Sequence, residues 1–91
     1  MSPVKLALLS LTLDLSRIAM AISRNSDKVS DRFSSEAQNW LLELQEEKLP
    51  NYVQKRILSL SDVLKSKNSY EKADDCVTYC TILSNYAKTL E

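Results

Sequence analysis

Apolar residues recur along the first stretch of this chain at helical steps. Val4, Leu8, Leu11, Leu15, Ile18 and Ile22 follow each other at intervals of four, three, four, three and four, the spacing of one helix face. Leu6, Leu9, Leu13 and Met20 form a second apolar set on another side of the same helix. Ser2 as N-cap and Pro3 at the first helical position start it, and Asn25, a residue that tolerates the left-handed conformation, ends it near Arg24. Ser26 can cap a second helix whose seam is Val29, Phe33, Ala37, Trp40 and Leu44, with Leu41 alongside. Ser35 and Gln38 offer a later start with capping-box spacing, and a single kinked helix over 3–48 is a third solution. A break at 25–26 is preferred, because it yields two helices of similar length that can pack antiparallel.

Pro50 sets the next boundary by forcing Leu49 out of helical angles, and it serves as a first helical residue itself. Val53, Ile57, Leu60 and Leu64 give a third seam. Asn68 and Glu71 stand at capping-box spacing before a fourth, Ala73, Cys76, Cys80, Leu83, Ala87 and Leu90. The pattern predicts an all-α protein, a four-helix antiparallel up-and-down bundle with helices at about 3–24, 26–48, 50–66 and 69–90, in one domain over 1–91. Ser23, Ser26, Ser30 and Ser34 recur at steps of three or four. They form either a small-residue face that lets helices approach closely or a solvent face.

Composition agrees with this class. The chain has no glycine and two prolines, so the turn glycines of all-β folds and the tight strand–helix corners of α/β folds are missing. It also has no histidine. Histidine triads, phosphorelay and histidine-containing zinc sites are therefore excluded, and the absence of glycine removes phosphate-binding loops and the nucleophile elbow in their usual forms. Twelve basic residues balance twelve acidic ones, so no long-range attraction for nucleic acid is expected. Lys5, the run Leu6–Leu13 and Ala19-Met20-Ala21 imitate a signal peptide, but Asp14 and Arg17 interrupt the apolar region and the helical seam runs through the would-be cleavage site. No run of about 18 uninterrupted apolar residues exists, and no membrane-spanning helix or membrane partner is expected. Two cysteines, Cys76 and Cys80, fit a reducing, cytoplasmic compartment. They lie one turn apart in the fourth seam, so they are read as small core residues rather than as a redox or metal pair.

Two features could carry chemistry. Glu43 and Glu46 are three apart, as are Glu71 and Asp74, so each pair shares a helix face. The arrangement resembles the acidic signature of the all-α nucleotide pyrophosphohydrolases of the MazG type. That resemblance implies Mg²⁺ held by Glu43, Glu46, Glu71 and Asp74 and hydrolysis of a nucleoside triphosphate to monophosphate and pyrophosphate. The chain departs from the pattern in that Pro50 inserts a whole helix between the two acidic ones. The second feature is surplus apolar surface. Leu6, Leu9, Leu13, Met20 and Leu42 exceed what one seam per helix needs, and surplus apolar rows are what an interface leaves in a sequence. Tyr79, Ile82 and Tyr86 form a further row that could cover a partner. The preferred reading is a non-catalytic interaction or assembly module, a homodimer pairing through the second face of the first helix, with no cofactor, metal or catalytic residue. The alternatives are the Mg²⁺-dependent pyrophosphohydrolase and a regulatory, antitoxin-like binder that uses the tyrosine row.

Overall fold

A computed structural model describes residues 2–90 of the chain. Four helices follow one another, α1 (Pro3–Ser23), α2 (Asp27–Gln45), α3 (Asn51–Lys65) and α4 (Tyr70–Ala87). α1 packs against α2 and α4, and α3 closes the square by packing against the same two, so α1 and α3 are diagonal. Short connections reverse the direction at each corner, giving the up-and-down order. The Cα radius of gyration is 12.3 Å, the ~12 Å of a compact chain of this length.

The start of α1 follows the expectation. The Ser2 hydroxyl accepts from the Lys5 amide at 3.1 Å, and Pro3 occupies the first turn. Its end is closed by two backbone bonds that wrap around Asn25. The Ser26 amide donates to the Ala21 carbonyl at 2.9 Å and the Asn25 amide to the Ile22 carbonyl at 3.0 Å. That is a Schellman closure, and it requires a left-handed residue. Asn25 supplies it with φ 57°, the one positive φ among the described residues.

The preferred break at 25–26 holds, and the later boundaries differ in detail from the sequence expectation, α4 ending at Ala87 rather than at 90. Ser26 is the N-cap of α2 but its side chain makes no capping bond. α2 runs unbroken from Asp27, so the Ser35 start is overturned, and it stops at Gln45 rather than Lys48. Pro50 is the N-cap of α3 rather than its first residue, with ψ 148°. Ser69, not Asn68, caps α4, its hydroxyl accepting from the Lys72 amide at 3.1 Å. Asn68 is occupied elsewhere: its amide donates to Asp27 and Asp31 at 3.2 and 3.1 Å, and its oxygen accepts from Ser30 at 2.7 Å. It ties the α3–α4 corner to the start of α2.

The core is one cluster. Leu8, Leu11, Leu15, Ile18 and Ile22 of α1 are buried, and Val4 is half-buried. The phase of α2 is shifted from the expected seam: Ser30, Ser34, Ala37, Leu41 and Leu44 are buried, while Phe33 and Trp40 sit half-buried at the edge and Val29 is exposed. Of the four serines in the repeat, Ser30 and Ser34 face inward and Ser23 and Ser26 do not.

Helix spacing follows from these side chains. Ala7, Asp14 and Ala21 stand seven apart on the α2 side of α1, and α4 turns Ala73, Cys76, Cys80 and Ala87 inward. Small residues let backbones approach, and α1 lies closest to α2 and α4. The buried row of α3 is Val53, Ile57, Leu60 and Leu64, all large, and α3 stands further from both neighbours. At one end α3 is held by Lys72, whose buried ammonium donates to the carbonyls of Leu64 and Ser66 at 3.1 and 3.0 Å. At the other, the Tyr52 ring meets Tyr86 edge-on at 6.1 Å.

α1 has a mean hydropathy of 1.6 over an 18-residue window, so by length and composition it could cross a membrane, although no uninterrupted apolar run was found. Half of that window is buried inside the bundle.

Candidate interaction face

The second apolar set of α1 lies on the side turned away from the core. Leu6, Leu9, Leu13 and Met20 are 52, 38, 51 and 48% exposed, and α1 has no exposed carboxylate, its single acidic residue being buried. With Ser16 they recur at three, four, three and four, the 3.5-residue period of a seam that faces another helix. The neighbouring helices extend the apolar surface. On the α2 side, Met20, Val29 and Phe33 line one shallow groove of about 320 Å³, with Arg17 and Arg24 on its rim. The guanidiniums of Arg17 and Arg32 lie over the Phe33 ring at 5.2 and 5.6 Å, a cation–π geometry that holds both cations at the groove's edge. On the α4 side, Val77 is exposed between Ala73 and Cys80, and Cys80 touches α1 through a thiol–carbonyl contact to Thr12 at 3.5 Å.

A buried carboxyl lies beside this face, on the α2 side of α1. Asp14 is 2% exposed. One carboxylate oxygen is 3.8 Å from Arg17, and the other has no hydrogen-bond partner. Burial, and then the Glu36 carboxylate opposite it on α2, push its pKa up to about 6, against the pull of Arg17.

The remaining residues singled out by the sequence fall as follows. Leu42 is exposed, one turn before Gln45, which lines a hollow shared with α3. It therefore sits on the flank of α2 away from α1, apart from the other four. Tyr79, Ile82 and Tyr86 are half-buried, Tyr79 and Tyr86 pack against the core, and Tyr86 meets Tyr52 of α3. Trp40 is half-buried against the core, as a plug at its edge. Cys76 is fully buried and burial pushes its thiol up to about 11, so it carries no thiolate at neutral pH.

The four carboxylates of the acidic signature are not brought together. Glu43 and Glu46 lie at the end of the bundle where Val4 and Ala7 begin α1. Glu71 and Asp74 follow Asn68 at the opposite end, where it binds Asp27 and Asp31. At 1.5 Å per residue, roughly 18 Å or more of bundle axis separates the pairs, against the ~2–2.6 Å at which oxygens ligate a hard cation. Among the described residues no group of three or more candidate ligands could hold a metal.

Sequence reasoning missed Asp14 and Lys72 as buried groups. The signal for Asp14 was its place midway between Ala7 and Ala21, seven residues from each. Comparison with protein families, with curated proteins and with solved structures finds no match.

Proposed function

We propose that this chain is a non-catalytic protein–protein assembly module of the cytoplasm that pairs with a second copy of itself through the outer face of α1. The observation that carries the reading is the row Leu6, Leu9, Leu13 and Met20, about half exposed and spread over roughly 21 Å of helix, with Ser16 taking one place in it. Scattered exposed leucines need no explanation, but a row on one helix face at coiled-coil spacing does. Burying such a row removes apolar surface worth ~25 cal/mol per Å² from water. A chain of 91 residues has little stability to spare and gains from association.

Sedimentation velocity tests it. The unmodified chain is expected to sediment as a dimer at tens of micromolar. Leu9→Asp with Leu13→Asp is expected to give a monomer with unchanged helical circular dichroism, because neither side chain belongs to the buried core. A wild-type monomer at that concentration would remove the proposal.

A further inference from the structure

We infer that the groove between the end of α1 and the start of α2 binds an acidic peptide segment of another protein, one apolar side chain resting on Met20, Val29 and Phe33 and carboxylates meeting Arg17, Arg24 and Arg32. The floor is apolar and open. Met20 and Val29 are 48 and 41% exposed, and Phe33 is half-buried. At about 320 Å³ the hollow lies at the lower end of the ~300–1,000 Å³ of ligand sites.

The guanidiniums around it lack matching carboxylates. Arg17 and Arg24 line the groove, and Arg32 joins Arg17 over the Phe33 ring. The chain as a whole has twelve basic and twelve acidic residues, so this gathering of one sign is local. Arg17 has only Asp14, at 3.8 Å, and Arg24 and Arg32 form no ion pair among the described residues. The carboxylates nearby are turned to other groups. Asp27 and Asp31 accept from the Asn68 amide, and Glu36 acts on Asp14. Like charges held about one ring repel, and an anion set among them removes that repulsion. The guanidinium fork takes a carboxylate through two parallel bonds, which is how arginine clusters read acidic segments. Phe33 already holds two of the three cations, so less side-chain freedom is lost on binding.

Other hollows on the surface have different chemistry. The one beside Pro3 and Val4 is lined by Glu43, Glu46 and Glu47, and the one between α2 and α3 has no charged residue. The arginine groove is a recess between two helices, so a projecting side chain reaches its floor while a flat lipid surface meets only the rim. Of the pairing row, Met20 alone borders it, and the inference does not rest on self-association.

Fluorescence anisotropy with a labelled synthetic peptide, two glutamates on each side of a leucine–phenylalanine pair, tests it on the full chain. One control peptide has glutamine for every glutamate, and the other has serine for the apolar pair. The parent peptide is expected to bind about tenfold or more tightly than either control at low salt. Equal binding of the glutamine peptide overturns the arginine contacts, and equal binding of the serine peptide overturns the apolar seat. Arg24→Glu/Arg32→Glu is expected to lose about tenfold in affinity, as is Val29→Asp, with helical circular dichroism and sedimentation unchanged. Unchanged affinity in these folded variants overturns the site. Arg24→Gln/Arg32→Gln gives the same reading should the reversed charges unfold the chain. Leu9→Asp/Leu13→Asp is expected to keep peptide binding whether or not it separates copies, so the groove and the pairing fail independently. A chain that ignores the peptide but floats with anionic phospholipid vesicles overturns the inference in favour of a lipid surface.

Discussion

Asp14 is the residue on which solution conditions act most directly. Its carboxyl is raised to about 6 in the folded chain, against ~3.9 for an unfolded aspartate. Between those values the folded state binds more protons than the unfolded one, so stability falls as pH rises from about 4 to 6 and stays lower above. The orphaned oxygen is a second cost that ionisation aggravates. Asp14→Asn keeps the shape, removes the charge and offers a donor to Glu36. It is expected to raise stability at pH 7.5 by on the order of 1 kcal/mol, a value set by the 1.36 kcal/mol of one pKa unit. It should also flatten the slope between pH 4 and 6, and urea titrations across that range measure both effects. An equal slope in the variant would place the linkage in another group. A buried carboxylate between two alanines is poorly visible in a hydropathy pattern, because the eye assigns a charge to solvent.

At the level of the helices, legibility depended on how large the buried residues are. The α1 seam and its Asn25 terminus could be read directly, since leucines and isoleucines at strict spacing leave one solution and Asn25 is the residue for a left-handed stop. The expected and observed faces of α2 differ by about one residue. Val29, Phe33 and Trp40 advertise a seam, while the backbone close to α1 admits only small groups, so Ser30, Ser34 and Ala37 are inside. Hydrophobicity cannot see a buried serine. The caps shifted for a related reason: Asn68 was drawn off by Ser30, Asp27 and Asp31, contacts 37 to 41 residues distant. Of the interface row, the four α1 positions were legible because the helix was apolar on two sides, whereas Leu42 could be placed only once the order of neighbours was known. The Asn25 stop is open to test. Asn25→Ala forces a Cβ-bearing residue without a helpful side chain into the left-handed region and is expected to cost about 1 kcal/mol. Asn25→Gly should be neutral or better. Thermal melts of the two variants, compared with the parent, decide between this and a corner that can re-form in another geometry.

For the molecule as a whole, the proposed pairing divides stability and association between opposite sides of one helix. The inner side of α1 carries Leu8, Leu11, Leu15, Ile18 and Ile22, and the outer side carries the exposed row. Residues of the two sets alternate in sequence yet answer to different measurements. Leu15→Ala is expected to lose 2–5 kcal/mol of unfolding free energy, with the dimer affected only through folding. The Leu9/Leu13 change should do the reverse, separating copies while leaving the urea midpoint of the monomer in place.

The spacing of α3 carries a dynamic consequence. Large side chains keep it further from its neighbours than α1 is from α2 and α4, and its ends rely on Lys72 and on the Tyr52–Tyr86 contact. A helix with fewer close backbone neighbours opens at lower free energy than the rest of its domain. Native-state hydrogen exchange should therefore resolve α3 as a separate unit, its amides exchanging by partial opening while those of α1 await global unfolding. Because α3 is diagonal to α1, that opening leaves the outer row of α1 in place. The chain can breathe on one side while the opposite side, with its exposed leucines, keeps its shape.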